Sequence, residues 1–291
     1  MQIKKVGVIG CGLMGHGIAQ VAAQGRCDVV AVETEQKLLD AGLARIDKSL
    51  SKLAEKAKEK GQTFDAAAVR KRITGSLDKG SVAGCDLVVE AIVENLDKKN
   101  ELFGELGKVC KKETIFASNT SSFPIAAMAK ASGRPKQLVG LHFFNPVQLM
   151  KLVEVVRTSE TSDEVFAAAR AFGETCGKTP ISCKDTPGFV VNRLLVPYLV
   201  QSMLLLERGD ASAQDIDTAM KLGCGHPMGP IELTDYVGLD TTLYILQGWV
   251  KAHPTELAFR IPAILEKKVK EGKLGRKSGE GFYKWEGDKK Q

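Results

Sequence analysis

The chain contains no C-x-x-C pair, only four histidines, and no unbroken apolar run of the ~18 residues that a membrane-spanning helix needs. Each shortage closes a class of function. The seven cysteines, Cys11, Cys27, Cys85, Cys110, Cys176, Cys183 and Cys224, are scattered, so they suggest neither a zinc site nor a redox motif and fit a reducing compartment. Without a long apolar run, no membrane partner is expected. The positive excess is slight, +6 over 291 residues, which suits an anionic small molecule and falls far short of a nucleic-acid footprint. The first β-rich run begins at Lys5, which leaves no room for a leader. A cytoplasmic location is therefore expected, or the mitochondrial matrix if a transit peptide belongs to a precursor.

What is present is ordinary globular composition, 44% apolar and 26% charged, in a length sufficient for two cores. The first half alternates short β-rich runs, at 5–9, 29–32, 87–90, 114–118 and 138–143, with helical patterns. That alternation predicts an α/β fold, a Rossmann-type doubly wound sheet. Another β-run, 151–156, follows the turn-forming Asn145-Pro146, and a hairpin centred near Gln148 sets position 154 opposite position 142. A helix capped by Ser162 or Asp163 then runs to Cys176. Thr186-Pro187-Gly188 is turn chemistry, and helical periodicity takes over beyond it. The predicted domains are 1–186, a Rossmann domain with a helical insertion, and 187–291, a C-terminal all-α domain. The insertion, 37–72, carries ten Lys/Arg against five Asp/Glu. It reads either as a solvated helix pair or as a surface for a phosphorylated ligand.

The stretch VIGCGLMGHGIAQ, 8–20, places Gly10, Gly12 and Gly15 in the spacing G-x-G-x-x-G. A glycine-rich turn alone is weak evidence. Here it follows a strand, opens a helix, and has an acidic residue, Glu33, about 20 positions on, which is the dinucleotide fingerprint. Gly10 permits the tight turn, Gly12 the approach of a pyrophosphate, and Gly15 close helix packing. With Cys11, Leu13 and Met14 these residues form the expected cofactor loop. Glu33 would accept from the adenine ribose and repel a 2′-phosphate, which favours NAD over NADP. His16 sits in this loop, where a small residue is more comfortable. It is either neutral to binding or makes cofactor affinity pH-dependent. Among the histidines, His142 alone ends a β-run, and ligands of open α/β sheets bind beyond the strand C-termini. It is the best candidate for acid–base work near neutral pH. Glu154, between Val153 and Val155, is either a charge on a strand's solvent side or the partner of that imidazole.

Six longer motifs carry a resemblance: VVEAIVEN (88–95), SNTSS (118–122), GLHFFNPVQLMKLVEVV (140–156), DTPGFVVNRLL, ERGDASAQDIDTAMKLGCGHPMGPIELTDYVGLDT and GRKSGEGFYKW. Their order along nearly the whole chain resembles the L-3-hydroxyacyl-CoA dehydrogenase family, 3-hydroxybutyryl-CoA dehydrogenases included. The resemblance implies reversible NAD-dependent oxidation of (S)-3-hydroxyacyl-CoA to 3-oxoacyl-CoA, in fatty-acid β-oxidation or butanoate metabolism. By the same resemblance His142 is the general base, oriented by Glu154. Ser121 and Asn192 contact the substrate 3-oxygen, and Ser121 also touches the cofactor. Glu94, Lys99, Asn145 and Lys277 match cofactor contacts, while Ser49 and Lys56, both in the basic insertion, match coenzyme A contacts. For Ser121 helix capping is an alternative role, and for Asn192 a cap or a domain-linking hydrogen bond. No metal is implied. The C-terminal domain is expected to border the substrate cleft and to join two chains as a homodimer. Two other readings are a dehydrogenase of a free hydroxy acid and a non-catalytic, crystallin-like NAD-binding protein. The basic insertion argues against the first, and the joint presence of His142, Glu154, Ser121 and Asn192 against the second.

Overall fold

The computed structural model describes residues 2–291, which divide into two compact units, 2–189 and 190–291. The first unit starts with β1 (Lys5–Ile9), α1 (Gly15–Gln24) and β2 (Asp28–Val32), followed by the insertion as α2 (Gln36–Glu59) and α3 (Ala66–Lys71). Next come β3 (Ile73–Ser76), β4 (Leu87–Glu90), α4 (Leu96–Val109), β5 (Ile115–Ser118) and α5 (Ile125–Ala131). The unit closes with β6 (Leu138–Phe143), β7 (Leu152–Arg157), α6 (Asp163–Thr175) and β8 (Thr179–Lys184). All eight strands form one sheet in the order β3-β2-β1-β4-β5-β6-β7-β8. The first six are mutually parallel, β7 returns antiparallel on β6, and β8 runs parallel to β7.

The sequence dictates this layering. The central strands β4, β5 and β6 are buried along their whole length, as parallel strands covered on both faces must be. α1 buries the small Gly15, Gly17, Ala19, Ala22 and Ala23 along with Ile18 and Val21. α2 buries Leu39, Gly42, Ile46 and Leu50, one face at helical spacing, and nothing beyond Leu50. Its basic end, with Lys52, Lys56 and Lys58, is solvent-exposed. α6 is capped by Ser162, whose hydroxyl accepts from the Val165 N–H. The strands β3 and β8 escape the sequence pattern for a physical reason. Both are sheet edges with little burial, β3 contains Gly75, and β8 contains Pro180, which an edge tolerates.

The second unit is helical: α7 (Val191–Glu207), α8 (Ala213–Cys224), α9 (Pro230–Val237), α10 (Leu239–Ala252) and α11 (Ala263–Lys270). Leu199, Val200, Met203, Ile231, Leu246 and Trp249 are part of its core. α9 and α10 are separate helices because Gly238 sits between them at φ 102°. One addition to the helical expectation is a short hairpin of β9 (Trp285–Glu286) and β10 (Lys289–Lys290). Buried Asp235 fastens this terminal segment, accepting from the N–H groups of Phe282 and Tyr283 and from Trp285 Nε1. No helix among the described residues is long and apolar enough to cross a membrane.

Candidate active site

The glycine turn follows the end of β1. Gly10 has φ 91°, and a Cβ there would lie 2.5 Å from the Ala91 carbonyl oxygen. A Cβ on Gly15 would lie 1.7 Å from the Gly10 carbonyl oxygen. Both positions admit only glycine. A Cβ on Gly12 would meet nothing within 4 Å, so this residue turns an open side outward. Glu33, just past β2, accepts from the Cys11 N–H at 2.6 Å, which ties the acidic residue to the loop. The N–H groups of Leu13 and Met14 meet no acceptor among the described residues. Open backbone, free donors at the start of α1 and an adjacent carboxylate fit a dinucleotide. His16 Nδ1 lies 2.7 Å from the Gly12 carbonyl oxygen, so that nitrogen carries the proton.

The end of β4 adds a buried charge cluster. Glu90 and Lys99 are fully buried and paired at 2.5 Å, and Lys99 also reaches Glu94 at 3.1 Å. Ser118 Oγ donates to Glu90, and Thr120 Oγ1 donates to Glu94. Lys99 is thus shut away with its ammonium between two carboxylates. It fixes the partly exposed Glu94 carboxylate and presents no open face of its own. Glu90 and Thr120 were not singled out in the sequence, although a glutamate closing the apolar run LVVE was a signal.

On β6 and β7, His142 stands directly opposite Glu154 in the antiparallel register. The Nδ1–Oε2 distance is 2.6 Å, with His142 6% exposed and Glu154 fully buried. An ionised carboxylate only accepts, so Nδ1 carries the hydrogen, and in the neutral ring the lone pair is on Nε2. Phe144 and Phe189 flank the imidazole, with ring centroids 4.5 and 5.5 Å away. Phe189 holds a positive φ of 53°, uncommon for a non-glycine residue. Asn119 Oδ1 accepts from the Phe143 N–H and secures the end of β6. Cys183 on β8 is half-buried. Burial first, then the charges of Glu154 and Asp185, push its thiol up to about 12, so it stays neutral beside the pair.

The other expected site residues are distributed as follows. Ser121 is half-buried in the turn after β5, its hydroxyl 3.3 Å from that of Ser122. It does not cap α5: Thr120 Oγ1 accepts from Ser122 and Phe123, and Asp185 accepts from the first N–H groups of the helix. Asn145 is exposed in the β6–β7 connection. Ser49 and Lys56, seven residues apart, share a face of α2. Asn192 and Lys277 belong to the second unit, Asn192 in the first turn of α7 and Lys277 paired with Asp240 at 2.6 Å.

The sheet order, the glycine turn with its carboxylate and the buried His–Glu pair define a dinucleotide-binding oxidoreductase. Residues 5–186 match the family model described as 3-hydroxyacyl-CoA dehydrogenase, NAD binding domain, and residues 188–285 match 3-hydroxyacyl-CoA dehydrogenase, C-terminal domain. A Mus musculus protein named hydroxyacyl-coenzyme A dehydrogenase, mitochondrial, is 53% identical over 287 residues, covering 97% of this chain and 91% of its own. A probable 3-hydroxybutyryl-CoA dehydrogenase of Deinococcus radiodurans is 52% identical, covering 97% of this chain and 100% of its own. Among solved structures, (S)-3-hydroxybutyryl-CoA dehydrogenase from Ralstonia eutropha has a TM-score of 0.93 at 38% identity, over 98% of this chain and 100% of that one. The chain belongs to the 3-hydroxyacyl-CoA dehydrogenase family.

Proposed function

We propose that this chain oxidises (S)-3-hydroxyacyl-CoA to 3-oxoacyl-CoA reversibly with NAD, and that residues 1–186 hold the cofactor. The observation that carries the reading is the 2.6 Å His142–Glu154 bond at the C-terminal end of the dinucleotide-binding sheet. Gly10, Gly12 and Gly15, with the backbone of Cys11, Leu13 and Met14, would hold the pyrophosphate, and Glu33 the adenine ribose. Glu94, Ser121, Asn145 and Lys277 complete the cofactor contacts in this reading, with Lys99 acting through Glu94. NAD, when bound, supplies the acceptor for the hydride that leaves substrate C3.

His142 Nε2 takes the substrate hydroxyl proton, and its Nδ1–H stays on Glu154. The Glu154 charge stabilises the imidazolium so formed. In reduction the same imidazolium returns its proton to the 3-oxygen. Ser121 donates to that oxygen, and Asn192 is assigned to it as well. Ser49 and Lys56 on α2 belong to the coenzyme A portion, where the exposed lysines of that helix attract phosphate. Residues 187–291 border the substrate and join two chains as a homodimer. The cytoplasm is the compartment in this reading, and the mitochondrial name of the mouse relative makes the matrix the alternative.

The test is NADH oxidation with acetoacetyl-CoA, set against NADPH and against free acetoacetate. Turnover is expected with NADH and the thioester. His142→Ala should lower kcat about 10²–10⁴-fold, the range for a positioned acid–base group, while NADH binding survives. Faster turnover of the free acid than of the thioester, or a His142→Ala variant with more than half of wild-type kcat, sinks the proposal.

A further inference from the structure

The hairpin that sets the His–Glu pair is closed by residues 144–151, and one buried lysine reaches into that connection. Lys178, just before β8, is 8% exposed. Its Nζ donates to the carbonyl oxygens of Val147 and, at 2.8 Å, of Met150. No ion pair among the described residues includes Lys178, so backbone dipoles alone compensate the ammonium. Elsewhere in the connection the Lys151 carbonyl oxygen accepts from the Thr179 N–H at 2.7 Å. The N–H groups of Leu149 and Met150 both turn back on the Pro146 carbonyl oxygen.

On its other side the same connection abuts the glycine-motif helix. Val147 is 1% exposed and packs on Gly17 of α1, where a Cβ would lie 2.7 Å from the Val147 Cβ. Gln148 Nε2 donates to Gln20 Oε1 at 3.3 Å. The connection therefore spans from the helix that opens the cofactor loop to the strands bearing the reacting pair, and it carries Asn145. An ammonium taken out of water without a carboxylate is costly. Burial accordingly pulls the Lys178 amine below the ordinary lysine range. A methionine would fill that space without the penalty, but the Val147 and Met150 carbonyl oxygens would then lose this donor.

We propose that Lys178 is a positioning residue of the dehydrogenase reaction: its ammonium pins the 144–151 connection, so that the His142–Glu154 pair and Asn145 keep a fixed geometry towards a cofactor bound at α1. The inference rests on the function proposed above. Lys178→Met, Lys178→Gln and Lys178→Arg are compared with wild type, each rate taken per folded site counted by NADH fluorescence titration. The Met and Gln variants should lose about 10–100-fold in kcat, the scale of a small misplacement transmitted to the reacting atoms. Their KM for acetoacetyl-CoA should stay within about threefold, the mark of an effect on the transition state rather than on uniform binding. With NADH deuterated at the transferred position, their primary isotope effect should exceed that of wild type, because hydride transfer becomes the slower step. Lys178→Arg, which keeps charge and donors, should recover most of the loss. A merely structural lysine would lower the number of folded sites and leave the isotope effect unchanged. Wild-type kcat and isotope effect per site in Lys178→Gln overturn the proposal, and they do so even if the Met variant fails to fold. A wild-type protein that turns over no thioester sinks the function reading instead.

Discussion

In the proposed mechanism His142 works with one nitrogen because Glu154 holds the other. The 2.6 Å bond fixes the tautomer, and under the proposal above the buried carboxylate would favour the positive ring formed when the substrate proton arrives. Glu154→Gln keeps the shape and an accepting oxygen but removes the charge. We expect kcat to fall about 10²–10⁴-fold, as when a charged orienting partner is replaced by its amide. The acid limb of the oxidation profile should move to lower pH, since the neutral imidazole is then favoured. A pH–rate series in both directions checks this, and a rate and profile matching wild type would reduce Glu154 to a strand residue. Both members of the pair were legible in the sequence, because a hairpin centred near Gln148 is enough to oppose 142 and 154. Phe189 and Lys178 were not. A phenylalanine in a turn and a lysine before an edge strand look like solvent-facing loop residues, and only the folded chain brings one onto the imidazole and the other onto two carbonyls.

At the scale of elements, the strands carrying the site are aligned at their far ends by Asp86. Its Oδ2 accepts from the N–H groups of Lys4 and Lys5 at 3.0 and 2.9 Å, and its Oδ1 from Lys111 Nζ at 2.6 Å. The starts of β1 and β4 and the approach to β5 thus meet on one carboxylate. Burial pushes that carboxyl up, but the Lys111 hydrogen bond and the two backbone donors outweigh it and hold the group below its ordinary value. A depressed folded-state pKa contributes stability above the unfolded value, about 3.9, and loses it as pH falls through the folded value. Asp86→Asn should therefore cost roughly 1–2 kcal/mol near neutrality, the scale of lost charge-assisted hydrogen bonds. In urea unfolding of both proteins the gap should narrow as the carboxylate range is descended; a gap independent of pH would refute the assignment. The central strands were readable because they are apolar on both faces. The edges β3 and β8 were not, since short, half-exposed strands with Gly75 or Pro180 carry the composition of loops. Helical periodicity in the second unit did not mark the break between α9 and α10, which the positive φ of Gly238 makes.

For the whole molecule the open question is what covers the helical unit. Leu194, Leu222, Tyr244 and Leu257 are 70, 83, 61 and 76% exposed in the single chain. These are large apolar groups on α7, α8, α10 and the segment after α10, and if they form one contiguous patch it would be a candidate association face. A self-complementary two-fold contact is the commonest way to cover it. We therefore expect a homodimer joined through residues 192–291, with light scattering at micromolar concentration giving about twice the 31.4 kDa of one chain. Single aspartate replacements at Leu194, Leu222, Tyr244 and Leu257 place a charge where the contact would be dry. At least one should shift the mass towards the monomer while circular dichroism stays unchanged. A mass near that of one chain, constant on concentration, overturns the dimer. A dimer indifferent to all four charges moves the interface off these residues.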